Sequence, residues 1–302
     1  MNTINSRQNE QRELERLSAQ RQLYATAKHV FGFQLILAIP IAIFTALIAV
    51  FLPEYKGHAA LWGLSVAVLD TALLTPWQKR LRENAAAIQE IFDCYVLNLP
   101  WNELKVGKRP DPEKVHAQAK KYSKWASTMP SLKNWYSPTI DQLSLPLGRL
   151  VCQRANCWWD SQQRRRYATT LQVALGLVAL IAAWVGFAAG LTIADFVLKI
   201  AAPLTPAFSL GLRQATEHRD AADRLDKLQT FSENLWSSAL AGMAEDELGA
   251  NSRNLQNEIY DGRKRNPLIF DTVFRWMRNE QELQMNYGSE ELVEQAKAAL
   301  AG

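Results

Sequence analysis

The chain has 302 residues, of which 48% are hydrophobic, and a formal net charge of +4. Its mean hydropathy is nevertheless −0.18, so the apolar residues are concentrated in segments that charged stretches separate. The three cysteines, Cys94, Cys152 and Cys157, are odd in number and fall in segments predicted to be cytoplasmic, which argues against a disulfide framework.

The first 30 residues are polar and are predicted to form a cytoplasmic helix that begins near Gln8 and continues into residues 31–52. This helix is either a stem that contacts a partner or an element packed on the chain's own cytoplasmic domain. Residues 31–52 contain no charged side chain. A helix of that length reaches about 33 Å, enough to cross a hydrocarbon core of about 30 Å. We predict the first transmembrane helix here, retained rather than cleaved as a signal peptide.

Three further transmembrane helices are predicted, at residues 59–75, 169–190 and 191–212. The four spans form two hairpins with short outer connections, at residues 31–75 and 169–212. Basic residues cluster beside one set of span ends, whereas Lys56 is the one basic residue beside the other. Because positive residues stay inside, both termini are predicted to be cytoplasmic. Almost nothing remains outside, which disfavours a receptor for external ligands.

Two cytoplasmic segments carry opposite net charge. Residues 76–168 contain 16 Lys and Arg against 8 Asp and Glu, and residues 213–302 contain 11 against 16. We expect the two segments to attract, within one subunit or between subunits. The second span is predicted to continue as a helix to Leu99, and Asn266 to cap a last helix that runs through Met277. The predicted fold is an all-α membrane protein with a helical cytoplasmic domain.

Recognisable catalytic motifs are absent from the sequence. It has no Gly-rich phosphate loop, no nucleophile elbow and no zinc-protease motif. The pair Cys152 and Cys157 has the wrong spacing for the usual zinc site. We therefore expect a protein that is not an enzyme, with no catalytic residues, no metal and no cofactor.

A cluster of arginine and tryptophan precedes the third span. Arg154, Asn156 and Trp159 suit a small anionic nucleotide, because arginine donates to phosphate and tryptophan stacks on a base. Structural hydrogen bonding is the alternative for Arg154 and Asn156. The next three arginines, Arg164, Arg165 and Arg166, are predicted to contact anionic lipid at the membrane border, with ligand contact as the alternative.

Charged residues inside the predicted spans are functional candidates. Asp70 either lines a pore or pairs helices, or it lies in a wet interfacial position. Asp195 and Lys199, one turn apart, are interpreted as an ion pair. A series of lysines forms a solvated face that is also able to attract an anionic ligand, and its members are Lys105, Lys108, Lys114, Lys120, Lys121 and Lys124.

Several separate motifs resemble those of the SMODS-associated four-transmembrane effector family. They cover nearly the whole chain and are Ala19-Gln20-Arg21-Gln22-Leu23-Tyr24, Ile88-Gln89-Glu90-Ile91-Phe92-Asp93, Leu97-Asn98-Leu99-Pro100-Trp101-Asn102, Trp135-Tyr136, Cys152-Gln153-Arg154, Trp159-Asp160, Ser252-Arg253-Asn254-Leu255-Gln256, Ile259-Tyr260 and Phe270-Asp271. We add Arg253 and Gln256 to the candidate ligand-binding residues.

The resemblance implies a multi-pass protein of the bacterial inner membrane. It implies that a partner nucleotidyltransferase makes a cyclic oligonucleotide during phage infection. The effector senses this messenger, forms a homo-oligomer and permeabilises the membrane, so that the cell dies before phage mature. It implies no binding of polymeric nucleic acid. Two alternatives stay open: a non-conducting membrane scaffold that recruits a protein, and a small-molecule transporter.

Overall fold

The computed structural model describes residues 2–41, 43–44, 53–128 and 132–301. Within those ranges every regular element is helical, which confirms the predicted all-α class for the described residues. In chain order the α-helices are α1 (Ile4–Gln8), α2 (Gln11–Ala38), α3 (Lys56–Leu69), α4 (Thr75–Val96), α5 (Glu103–Val106), α6 (Pro112–Ser123), α7 (Leu145–Ala188), α8 (Ile193–Phe196), α9 (Ala202–Leu240), α10 (Glu245–Arg265) and α11 (Asp271–Ala301).

Two π-helical turns interrupt the long helices without ending them. Asp70–Leu74 joins α3 to α4, and Val197–Ala201 joins α8 to α9. Short 3-10 turns lie at Pro53–Tyr55, Ala126–Thr128 and Pro138–Gln142. Such π-helical turns inside longer helices are frequent at functional sites.

The chain divides into two compact units. The polar unit comprises Met1–Thr26, Leu81–Arg164 and Asp220–Gly302, and the apolar unit comprises Ala27–Arg80 and Arg165–Arg219. The core of the polar unit contains the fully buried side chains of Phe92, Leu97 and Leu150. Phe92 lies on α4, Leu97 directly follows that helix, and Leu150 lies on α7, so this core joins two separated parts of the sequence.

The N-terminal helix α2 is packed on the polar unit. Leu17 is fully buried in the main core, and Leu23 lies in a second core with Ala85 and Ile88 of α4. The helix begins at Gln11, three residues after the predicted start. Of the two predicted alternatives, the structure therefore has the helix packed on the chain's own domain.

The larger parts of the two segments of opposite net charge, Leu81–Arg164 and Asp220–Gly302, lie within the polar unit. Lys105 of the basic segment pairs with Asp261 of the acidic segment at 2.9 Å, and Arg154 pairs with Glu233 at 2.8 Å. The most buried ion pairs have the reverse polarity, because the basic segment supplies their carboxylates.

Helix α4 continues from the second predicted span as expected and ends at Val96. Asn98 follows with a positive φ of 53°, a conformation that asparagine tolerates at a helix end.

The prediction that Asn266 opens the last helix is wrong. Asn266 terminates α10, and its N–H donates to the carbonyl of Gly262 at 2.7 Å. It precedes a proline, which favours its extended ψ of 144° and so ends a helix rather than starting one.

The last helix is α11, which begins at Asp271 and extends well beyond the predicted end at Met277.

Three helical stretches among the described residues are long and apolar enough to cross a membrane: Ala60–Val96, Leu145–Ala188 and Ile193–Leu240. At most 6% of the most apolar part of each is buried. They overlap the second, third and fourth predicted spans. The first predicted span, residues 31–52, lies partly outside the described residues, since 42 and 45–52 are not among them.

The break between the third and fourth predicted spans lies close to its predicted position. Helix α7 ends at Ala188 and α8 begins at Ile193, two residues after the predicted start of the fourth span. Gly190 has a φ of +62°, a left-handed conformation that commonly terminates helices and that glycine adopts without steric cost.

Candidate functional site

A buried polar network lies inside the polar unit, between α4 and α10. Glu90 and Asp93 of α4 are both completely buried. Arg253 donates to Glu90 at 2.6 Å, and Arg263 forms an ion pair with Asp93. Gln256 donates to both carboxylates, at 2.9 Å each. Burying two carboxylates is costly unless each is paired and hydrogen-bonded, and the residues of α10 supply those bonds.

The network extends into α7 and the segment before it. The Tyr136 hydroxyl donates to Asp93 at 2.7 Å and accepts from Asn156 at 3.0 Å. Gln153 donates to the Gln256 side chain at 3.2 Å. Side chains from three separated parts of the sequence therefore share one set of hydrogen bonds.

Burial shifts the proton equilibria of the network. Burial raises the pKa of the Glu90 carboxyl, the Asp93 carboxylate raises it further, and Arg253 opposes both effects. Burial raises the pKa of Tyr136 far above its usual range. Burial also raises the pKa of the Cys94 thiol to about 12. The tyrosine and the thiol are therefore neutral hydrogen-bonding groups at physiological pH.

Three predicted ligand-binding residues, Asn156, Arg253 and Gln256, are brought together in this network. Gln256 is completely buried and bonded to the two carboxylates. Arg253 also donates to the carbonyl of Pro100 at 2.9 Å. In the described structure, the side chains of all three residues form hydrogen bonds within the protein. For Asn156, such structural hydrogen bonding is the alternative that the sequence analysis left open. Their role in ligand binding stays a prediction.

The other predicted ligand residues lie apart from the network. Arg154 is part-buried, and its ion pair and a further hydrogen bond of 2.8 Å both go to Glu233 of α9. Trp159 is half-buried on α7. Ligand contact by these two residues also stays a prediction.

The three arginines predicted at the lipid border differ in burial. Arg164 is buried, pairs with Asp160 at 3.0 Å and donates to the carbonyl of Pro267 at 2.9 Å. Arg165 is exposed and Arg166 is half-buried. Lipid contact remains a prediction for all three.

Asp70 belongs to a polar cluster within the apolar unit. Gln34 of α2 donates to Asp70 at 2.6 Å and to the Thr75 hydroxyl at 3.2 Å. Gln78 donates to the Gln34 side chain at 3.4 Å. The cluster connects α2 to the π-helical turn that begins at Asp70. Pore lining and helix pairing by Asp70 stay predictions.

The predicted ion pair in the fourth span is confirmed, because Lys199 and Asp195 are 2.8 Å apart. Both side chains are exposed. Among the residues that the structure describes, His, Cys, Asp and Glu form no cluster of three or more that is able to hold a metal ion.

Two adjoining cavities form a basic groove in the polar unit. Their volumes are about 340 Å³ and about 440 Å³, and Arg12, Arg16 and Arg109 line both. We call them the arginine groove, lined chiefly by Arg7, Arg12, Arg16, Tyr95, Trp101 and Arg109. Sequence reasoning missed these arginines, although the four-residue spacing of Arg12 and Arg16 on a predicted helix places both on one face.

Comparison with known proteins identifies the family. The SMODS-associating 4TM effector domain matches residues 2–292. A relative from Bacillus cereus (strain VD146), described as a "Probable CBASS effector molecule", is 22% identical over 281 residues, which cover 91% of this chain and 93% of the relative. No solved structure matches. Together with the three long apolar helices, the match indicates a membrane protein. The chain belongs to the SMODS-associating 4TM effector family.

Proposed function

We propose that this protein is a membrane effector of anti-phage signalling that senses a cyclic oligonucleotide, assembles into a homo-oligomer and permeabilises the bacterial inner membrane. The observation that carries the proposal is the exposed apolar surface of the long helices in a member of an effector family. Trp184 and Phe187 of α7 are 69% and 87% exposed, and Leu180 is 68% exposed. An apolar surface of that extent requires lipid or a partner helix.

The polar unit is the proposed sensor. Its buried network holds α4, α7 and α10 in one arrangement, and α4 and α7 each continue into the apolar unit. A ligand shifts the resting and open states only by its differential affinity for them. A messenger that contacts two subunits binds the oligomer more tightly than the single subunit, because the second contact exists only in the oligomer.

Both termini and the polar unit are proposed to lie in the cytoplasm, where a partner nucleotidyltransferase makes the messenger. The polar cluster of Asp70 and Gln34 is proposed to pair helices in the closed form or to line the open pore. No catalytic step and no cofactor is needed for this activity.

The test is dye release from liposomes that contain the purified full-length chain. Cyclic di- and trinucleotides are added in turn, with linear dinucleotides of the same bases and protein-free liposomes as controls. Release that depends on one cyclic oligonucleotide is expected. Messenger binding without release favours the scaffold, and substrate flux without any messenger favours the transporter.

A further inference from the structure

The arginine groove gathers cations that the fold neutralises only in part. Arg12 and Arg16 lie one turn apart on α2, and Arg109 reaches the same groove from the loop after α5. Arg16 pairs with Glu13. Arg12 and Arg109 are exposed, and neither forms an ion pair with any residue that the structure describes. Gathered guanidinium groups repel one another, and a bound anion removes that repulsion.

The acids near the groove do not supply that anion. Asp111 is occupied by Lys108 at 3.1 Å and by Lys114 at 3.0 Å. Glu10 accepts from the Tyr95 hydroxyl at 3.0 Å. Glu15 and Asp111 are the acids that line the groove. Its walls keep a positive balance because five basic residues line it, namely Arg7, Arg12, Arg16, Lys108 and Arg109.

Aromatic rings orient the arginines of the groove. The guanidinium carbon of Arg7 lies 5.2 Å from the centre of the Tyr95 ring, and that of Arg16 lies 5.9 Å from it. Arg109 lies 5.3 Å from the centre of the Trp101 ring. Such cation–π contacts hold the planar forks in place, and a guanidinium plane is itself a surface on which a base stacks.

The loop that carries Arg109 folds back onto Trp101. The Trp101 indole N–H donates to the carbonyl of Gly107 at 2.9 Å. Gly107 has a φ of +84°, which glycine adopts without steric cost. Arg253 of the buried network donates to the carbonyl of Pro100, the residue before Trp101. The network therefore positions one wall of the groove.

We propose that the arginine groove binds the cyclic oligonucleotide messenger, an inference that rests on the proposed function. Each phosphodiester carries one negative charge and two free oxygens, which match the paired donors of a guanidinium. The cavity volumes fall within the range of about 300–1,000 Å³ that is usual for small-molecule sites. Arg12 and Arg109 contact phosphodiesters, and the planes of Arg7 and Arg16, held by Tyr95, carry the bases.

The experiment measures binding of cyclic dinucleotides and cyclic triadenylate to the full-length protein in detergent. Arg12→Glu and Arg109→Glu are each expected to weaken binding at least about tenfold. Each substitution removes a charged hydrogen bond to a phosphodiester and places a repelling carboxylate there. Lys227→Glu, an exposed charge reversal on α9 outside the groove, is the matched control and is expected to bind as the wild type. Because the Arg12 and Arg109 side chains are exposed, both variants are expected to fold, and thermal unfolding checks that they do.

The outcomes separate this proposal from the proposed function. Wild-type affinity in both arginine variants overturns the groove and leaves messenger sensing intact. Loss of binding only in Arg154→Glu, or only in Lys264→Glu of a neighbouring 580 Å³ cavity, places the ligand elsewhere and also overturns the groove. Equal competition by linear dinucleotides or inorganic phosphate shows general anion binding and contradicts a cyclic ligand. Failure of the wild type to bind any of these cyclic oligonucleotides removes both proposals.

Discussion

Replacing Arg263 by methionine tests whether the buried network stabilises the polar unit. Asp93 is completely buried, and Arg263 is its charged partner. Removing one partner of a buried ion pair costs about 3–5 kcal/mol, because the other charge is left without compensation. Tyr136 and Gln256 still donate to Asp93, at 2.7 Å and 2.9 Å. We therefore expect the lower end, about 3 kcal/mol.

The assay is amide hydrogen exchange of α4 in detergent, followed by mass spectrometry. A loss of about 3 kcal/mol corresponds to roughly a hundredfold faster exchange of the most protected amides, since about 1.4 kcal/mol is a factor of ten. Arg265→Met, two residues along the same helix, is the control. Its side chain is 68% exposed and lies 3.4 Å from Asp261, so a loss below about 1 kcal/mol is expected.

A second substitution separates charge from packing. Adding Asp93→Asn to Arg263→Met removes the uncompensated charge, so part of the lost protection should return. The reasoning is refuted if Arg263→Met exchanges as slowly as Arg265→Met. It is also refuted if Asp93→Asn makes the double variant less protected than Arg263→Met alone.

Three further outcomes are expected. Burial raises the pKa of Glu90 above its ordinary value of 4.5, so the native state binds more protons than the unfolded state above that pH. Wild-type stability should therefore fall relative to Glu90→Gln as the pH rises from 4.5 through the raised pKa, in unfolding measured across that window. Asp70→Asn should change the rate of messenger-dependent dye release. Gly186→Ala should lower the thermal midpoint in detergent by the equivalent of about 1–3 kcal/mol, because a Cβ there would lie 2.5 Å from the Phe196 ring.

Each of these outcomes has a control or a contradicting result. Parallel stability curves for the wild type and Glu90→Gln contradict a raised pKa. Dye release equal to the wild type in Asp70→Asn favours the interfacial position for Asp70. Gly176→Ala controls the Gly186 substitution, since a Cβ at Gly176 meets no atom within 4 Å. Equal midpoints for the two alanine variants contradict close packing at Gly186.

Elements of the fold were predictable where they depend on residues that are close together in the sequence. The continuation of the second span into α4 follows from apolar residues recurring on one face, and the prediction gave the helix to within three residues of its end at Val96. The role of Asn266 was not predictable in the same way. An asparagine before proline occurs at both ends of helices, and the hydrogen bond to Gly262 that decides between them depends on the helix that precedes it.

The candidate sites were predictable only in part. Arg253 and Gln256 are predicted ligand-binding residues, but the sequence gives no sign that both side chains are hydrogen-bonded to Glu90. The partners Glu90 and Arg253 are 163 positions apart. Arg109 and Arg12 were overlooked, because neither lies in a recognisable motif.

The amino-acid sequence by itself determined the apolar spans, the helical class and the opposed charges of the two polar segments. These features depend on the length, periodicity and composition of continuous stretches, which are local. Only the tertiary structure decided that two acids of α4 meet two arginines of α10, and that arginines before and after α4 converge on one groove. Such contacts depend on which helix faces pack together, and packing joins residues that are far apart in the chain.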